Sequence, residues 1–215
     1  MKVYCITGLG ADESVFDLLE INSEKVCISW APTYAWESME AYAEKLCEQV
    51  DQHEPFVLLG VSLGGMLAVE MNKFIKPEMT ILVTSLARRS ELPRWIRWVG
   101  KTRLNRIIPT FLFSSHPKLI IWLFGVKSAR GKQMVFDIAS RTDKRFIKLS
   151  IDKVLNWQND WVPENLQRIF ATDDALLPKP NGVTGIEVNN AGHFAIVESA
   201  QEVSFRVDQL LSELN

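Results

Sequence analysis

Ser62 stands in Gly60-Val-Ser62-Leu-Gly64-Gly65, directly after the apolar run Phe56 to Leu59 and directly before Met66 and Leu67. At a strand-to-helix turn, small residues on either side let the two backbones approach while the serine is held in strained φ/ψ with its hydroxyl exposed, the arrangement of a nucleophile. A phosphate-cradling loop would need Lys and then Ser or Thr after Gly65, where Met66 and Leu67 stand. An ordinary turn with an incidental serine is the plainer alternative, and the strand before and helix after it favour the nucleophile. A serine hydroxyl also needs a base to take its proton. Of three histidines, His53 reads as a surface residue, His116 sits beside Pro117 in a helical stretch, and His193 sits in Asn190-Ala-Gly192-His193-Phe194 before the final helix. In an open parallel sheet that last loop and the Ser62 turn both leave the carboxyl ends of strands, where ligands bind. His193 is therefore assigned as the base, with His116 the second candidate. An imidazolium formed in the reaction needs a carboxylate to fix its tautomer, and Thr172-Asp173-Asp174-Ala-Leu-Leu-Pro178 offers two. One of the pair should face inward, and the other reads as part of a solvated turn.

These residues need a scaffold, and the hydrophobic pattern supplies one. Lys2 to Thr7, Lys25 to Trp30, Phe56 to Gly60 and Met79 to Thr84 read as strands, separated by helical stretches over Glu13 to Glu20, Ser38 to Val50 and the segment after Ser62 through Phe74. Strand Phe56 to Gly60 is apolar without alternation, as a parallel strand covered on both faces must be. Gly8-Leu-Gly10 is no dinucleotide fingerprint, because the third glycine would fall at Glu13. From Leu86 to Asp160 strands disappear and the chain becomes helical in period, rich in Trp, Phe and basic residues and broken by Pro93, Pro109 and Pro117. Strands resume at Leu166 to Ala171 and Val183 to Val188, and Ser199 with Glu202 forms a capping box for a last helix with Val203, Val207, Leu210, Leu211 and Leu214 on its buried face. The expected fold class is α/β: a mostly parallel sheet of about six strands with helices on both faces and a helical insertion. Residues 1–85 and 161–215 form the core domain, and 86–160 the insertion.

The 215 residues are 47% hydrophobic and 23% charged, which fits a globular domain with a sizeable core and excludes a disordered or fibrous chain. Net charge is −2, so nucleic acid is not an expected partner. The average hides an asymmetry: residues 86–160 hold 16 Lys and Arg against 5 Asp and Glu, and the remainder 8 against 21. Cys5, Cys27 and Cys47 show no CxxC pattern and an odd count, which argues against a disulfide framework and for a reducing compartment. No cysteine or histidine pair has zinc-ligand spacing, so neither metal nor cofactor is expected. The longest apolar run, Leu119 to Val126, is far short of the roughly 20 residues that span a bilayer. A cytoplasmic location is expected, with oligomeric state open.

Taken together, Thr7-Gly-Leu-Gly10, Gly60-Val-Ser-Leu-Gly-Gly65, Asp174-Ala-Leu-Leu-Pro178 and Gly192-His-Phe194 followed by Glu198 resemble the α/β-hydrolase fold family over nearly the whole chain. The order serine, aspartate, histidine is that family's order, unlike those of the chymotrypsin and subtilisin types. The resemblance implies the acid four residues before the proline, hence Asp174. It also implies an oxyanion hole from the backbone N–H groups of Leu9 and Leu63, and a helical cap over about 86–160. Two departures stand out: Thr7 where a histidine commonly precedes the first-loop glycine, and no counterpart of the two N-terminal strands of the full family sheet.

The expected activity is that of a serine hydrolase cleaving a small ester or thioester-like acyl substrate through an acyl-serine, with Ser62, Asp174 and His193 as the triad. Two other classes stay open at this point. One is a ligand-binding or signalling protein on the same fold that turns over slowly or not at all; the other is a cofactor-free lyase in which His193 acts on substrate directly. Within the insertion, Arg88, Arg89, Arg94, Arg97, Lys101, Arg103 and Arg106 interleave with Trp95, Ile96, Trp98, Val99, Leu104, Ile107 and Ile108. This basic amphipathic pattern suits an anionic substrate or peripheral contact with an anionic membrane surface, or else a solvated outer face.

Overall fold

A computed structural model describes residues 1–102 and 117–214. Strands β1 (Lys2–Ile6), β2 (Glu24–Cys27), β3 (Phe56–Val61), β4 (Met79–Val83), β5 (Leu166–Ala171) and β6 (Ile186–Val188) form one sheet in the order β2-β1-β3-β4-β5-β6. Every pairing is parallel, with Ile6 opposite Gly60, Val61 opposite Val83 and Ala171 opposite Val188 near the carboxyl ends. The helices are α1 (Met39–Cys47), α2 (Leu63–Met71), α3 (Arg94–Thr102), α4 (Pro117–Leu123), α5 (Ala129–Arg141), α6 (Lys144–Leu155), α7 (Ala195–Glu198) and α8 (Ala200–Ser212).

Because side chains alternate across a strand, the central strands β1, β3 and β4 feed two cores. Val3, Cys5, Val57, Leu59, Ile81 and Val83 pack on one face with Val203, Val207 and Leu210 of α8, while Tyr4, Ile6, Leu58 and Leu82 pack on the other with α1 and α2. Both faces being covered explains the continuous apolar run of β3, which is buried throughout. α2 is buried at every position, since it lies between the sheet and α1.

The segment between β4 and β5 contributes α3 to α6, and no strand among the described residues. Its two ends lie side by side: Arg89 N–H donates to Asn159 O (2.7 Å), Arg89 Nη1 to Trp157 O (2.7 Å) and Asn159 Nδ2 to Ala87 O (2.7 Å). A buried ion pair, Arg168 Nη1 to Glu91 Oε2 at 3.0 Å, links the entry to β5. α3 packs on α6, and α4 on α5.

Several element boundaries differ from those expected, each for a tertiary reason. The stretch 13–20 is a single 3-10 turn, Glu13–Phe16, because the groups that would extend it are taken elsewhere. Lys25 Nζ of β2 donates to the Phe16 and Leu19 carbonyls (2.9 and 2.6 Å), and Ser204 Oγ of α8 accepts from Glu20 N–H (2.9 Å). The helix after Ser62 stops at Met71, where Asn72 Nδ2 turns to Ala68 O and Thr80 Oγ1 (both 2.8 Å). β6 begins at Ile186, after a turn closed by Val183 N–H to Pro180 O (3.2 Å). The Ser199 and Glu202 capping box is not formed: α7 runs directly into α8, Ser199 N–H is spent on Ala195 O, and Glu202 accepts from Arg206 Nε at 2.8 Å. No helix among the described residues is long and apolar enough to cross a membrane.

Candidate active site

The turns that follow β1, β3, β4, β5 and β6 share the carboxyl edge of the sheet, and every described site candidate sits on one of them. Ser62 comes directly after β3 with φ 53° and ψ −119°, a conformation sparsely allowed for any residue with a Cβ. It is held there from two sides. Its N–H donates to Val83 O (3.1 Å), and its carbonyl accepts from Ser85 Oγ (2.5 Å) as well as from the N–H groups of Gly65 and Met66 in the first turn of α2. The glycines are required by proximity: a Cβ on Gly60 would lie 2.5 Å from Gly65 Cα, and one on Gly64 would lie 2.7 Å from the Ile6 carbonyl carbon, backbone that cannot yield. A Cβ on Gly65 would occupy the space Ser85 fills. Ser85 follows Thr84, itself at φ 47° with its Oγ1 buried and without a partner among the described residues, so the end of β4 carries strain in support of the Ser62 turn.

His193 lies five residues beyond β6 and is 3% exposed. Its Nε2 is 2.8 Å from Ser62 Oγ and its Nδ1 is 2.7 Å from Asp174 Oδ2. Asp174, three residues beyond β5, is 4% exposed, and its other oxygen, Oδ1, accepts from the N–H groups of Leu176 and Leu177 at 2.9 and 2.8 Å. A buried carboxylate therefore has every contact a donor, which leaves Oδ2 to accept from His193 Nδ1–H and places the lone pair of Nε2 toward the serine. Asp173 is exposed, and among the described residues its Oδ1 meets only its neighbour Thr172 Oγ1, at 3.4 Å. His53 is exposed, and His116 lies outside the described residues.

The loop after β1 passes beside the serine, where a Cβ on Gly8 would come within 3.4 Å of Ser62 Cβ. Thr7 holds this loop through Oγ1 donating to Ala11 O (2.9 Å), joined there by Trp30 Nε1 (2.8 Å), while Thr142 Oγ1 donates to Gly10 O (2.6 Å). The threonine that departs from the family pattern thus closes the loop on itself. Sequence reasoning passed over Ser85, Trp30, Thr142 and Phe124, whose ring edge meets the His193 ring at 5.0 Å between centroids. None of them has a local pattern that marks it. Their partners lie far away in the chain.

A model of the alpha/beta hydrolase family matches residues 3–204. The chain superposes on a thermophilic esterase from Thermogutta terrifontis solved with malate bound, at TM-score 0.75 and 15% identity, covering 99% of this chain and 90% of that one. An enol-lactonase from Burkholderia xenovorans gives 0.72 and 16%, covering 98% and 91%, and a thioesterase of prodiginine biosynthesis in Streptomyces coelicolor gives 0.65 and 15%, covering 98% and 90%. A search of the curated proteins found no match. At these identities the superpositions speak for the fold, and the match over residues 3–204 speaks for the lineage: the chain belongs to the alpha/beta hydrolase family.

Proposed function

We propose that the protein is a serine hydrolase that cleaves a small ester or thioester-like acyl substrate through an acyl-serine intermediate. The observation that carries this reading is the unbroken hydrogen-bonded chain from buried Asp174 through His193 to a serine held at φ 53°. As Ser62 Oγ attacks the acyl carbon, its proton passes to His193 Nε2, and Asp174 stabilises the resulting imidazolium. Backbone N–H groups of Leu9 and Leu63 receive the developing oxyanion. Collapse of the tetrahedral species breaks the bond to the leaving alkoxide or thiolate, which takes the proton from His193. Water then repeats the sequence on the acyl-serine, returning Ser62 and releasing a carboxylic acid. No step requires a metal or cofactor. The esterase, thioesterase and lactonase names of the structural neighbours agree with acyl chemistry of this kind.

In this reading residues 86–160 form a cap over the site, and its excess of basic residues favours an anionic acyl substrate or peripheral contact with an anionic lipid surface. The test combines a fluorophosphonate probe with a panel of p-nitrophenyl esters. Covalent labelling at Ser62 with rapid ester turnover is expected, and Ser62→Ala should remove both, lowering kcat by roughly 10⁶ as loss of a triad nucleophile does. Labelling without turnover would instead indicate a ligand-binding protein, and turnover surviving in Ser62→Ala would indicate chemistry run by His193 alone.

A further inference from the structure

Glu198 closes the sequence motif around His193, yet nothing in the mechanism above uses it. It is half-buried at the end of α7, and its carboxylate reaches across to the connection between α4 and α5. Oε2 accepts from the N–H groups of Lys127 (3.0 Å) and Ser128 (2.9 Å), and Oε1 accepts from Ser128 Oγ (2.6 Å). Ser128 is the N-cap of α5, its Oγ accepting from Gly131 N–H at 2.9 Å. A side chain at Gly131 would collide with Glu198 Oε1, so that helix turn is shaped around the carboxylate. The amide donors at the start of a helix also favour negative charge there. Burial acts to raise the Glu198 pKa, but the hydrogen bonds from Ser128 and Lys127 outweigh it and hold the group below the ordinary carboxylate value.

The segment that Glu198 grips is the one that touches the histidine loop. Phe124 O accepts from Phe194 N–H (3.2 Å), and Lys127 Nζ donates to Asn190 O (3.2 Å). Gly125 and Gly192 meet backbone to backbone: a Cβ on Gly192 would lie 2.6 Å from Phe124 O, and one on Gly125 3.1 Å from Gly192 Cα. The Phe124 ring lies edge-on to the His193 imidazole at 5.0 Å. His193 is thus bounded on one side by Asp174 and on another by Phe124, and Phe124 is fixed relative to the loop by contacts that Glu198 ties down.

We propose that Glu198 is a positioning residue: by fastening the α4–α5 connection of the insertion to the histidine loop, it sets the place of the His193 imidazole between Asp174 and Ser62. The insertion is then part of the device that aligns the base, as well as a cover. The activity arm of the test rests on the hydrolase reading above; the spectroscopic arm does not.

Glu198→Ala and Glu198→Gln are compared with the unaltered protein by two readouts. The first is the downfield proton resonance of His193 Nδ1–H, assignable because the chain has three histidines. The second is kcat for a p-nitrophenyl ester, normalised to sites titrated by the fluorophosphonate so that unfolded protein does not count. In Glu198→Ala the resonance should shift or broaden, and kcat per titrated site should fall by roughly 10- to 100-fold, the scale of a base displaced by about an ångström. Glu198→Gln keeps an acceptor for the two N–H groups and should recover part of both. Should Glu198→Ala fail to fold, Ser128→Ala, which removes the Oγ contact to Glu198 together with the cap on Gly131 N–H but keeps both backbone donors to Glu198, is expected to show the same changes in weaker form. In combination with Glu198→Gln its effect should be less than additive, as for residues sharing one interaction. An unchanged resonance and unchanged kcat per titrated site in the folded variants, with or without a lower Tm, would overturn the proposal and leave Glu198 a purely structural anchor. A shifted resonance in a protein whose unaltered form hydrolyses no ester would uphold the coupling while removing the hydrolase reading.

Discussion

The buried carboxylate of Asp174 is where a change of one atom should tell most. Asn at this position faces two incompatible demands. If its amide nitrogen replaces Oδ1, it opposes the Leu176 and Leu177 N–H donors; if it replaces Oδ2, it donates to His193 Nδ1 and forces the proton onto Nε2. An imidazole protonated at Nε2 cannot take the Ser62 proton, so Asp174→Asn should lower kcat by roughly 10⁴ with little change in KM. Asp173→Asn, exposed and outside this network, should leave kcat within about twofold, since surface substitutions away from such features are nearly neutral. Steady-state kinetics of the two variants on one ester provides the check; equal losses would mean that the carboxylate acts by local charge rather than by setting a tautomer. The serine and histidine could be read from sequence because their glycine neighbours signal a turn and a close approach within a few positions. The two aspartates could not be separated by residue type or local pattern. Only the family spacing favoured Asp174, and its burial and its two backbone donors exist only in the folded chain.

Among the elements, the strands were the most legible part of the fold, since a sheet buried on both faces leaves a continuous apolar signal. Helix ends were the least. Lys25 ends the 3-10 turn and α7 preempts the Ser199 cap, both through contacts that local propensity does not encode. The attachment of α6 was equally hidden. Glu37, in the loop before α1, is buried against Lys153 of α6 (3.8 Å) and Lys45 of α1 (2.5 Å), with Thr33 Oγ1 donating at 2.8 Å; Lys153 Nζ also donates to Tyr34 O at 3.0 Å. Burial acts to raise the Glu37 pKa, but the bonds from Lys45, Thr33 and the Tyr34 backbone outweigh it, so the group sits below its ordinary 4.5. A carboxylate with a depressed folded pKa contributes stability that is present above the unfolded value and lost as pH falls through the folded one. Glu37→Gln, which leaves Lys153 buried beside a neutral group, should cost about 3 kcal/mol at neutral pH by urea unfolding. That gap should begin to narrow below about pH 4.5, where Glu37 of the unfolded chain takes up a proton, and go on narrowing as pH falls through the lower value of the folded state. A gap that stays constant from pH 7 to pH 3 would show that the loss comes from packing and not from the charge.

Over the whole molecule, charge is divided between the two parts of the chain: net +11 in residues 86–160 and net −13 elsewhere. Among the described residues Arg94, Lys118, Arg130, Lys132, Lys144 and Arg145 are exposed, so these positive charges of the insertion are available to solvent. Trp95 and Trp98, one turn apart on α3, are 53% and 63% exposed beside Arg94, while Ile96 of the same helix is buried. Arg103, Leu104, Arg106, Ile107 and Ile108 of the expected amphipathic pattern lie outside the described residues. Charge of one sign concentrated on the part that would cover the site should raise the local concentration of an anionic substrate and speed its capture, and salt should remove that advantage. The Debye length shortens from about 30 Å at 0.01 M to about 8 Å at 0.15 M. Across this range kcat/KM for an anionic ester is expected to fall on the order of tenfold, while a neutral ester of equal acyl length stays nearly constant. The protein should also pellet with vesicles of anionic phospholipid at 0.01 M and be released at 0.15 M, the exposed indoles alone being too few to hold it once the charges are screened. If both esters respond alike to salt and the vesicles bring down no protein, the basic residues of the insertion do no more than keep its outer face in water.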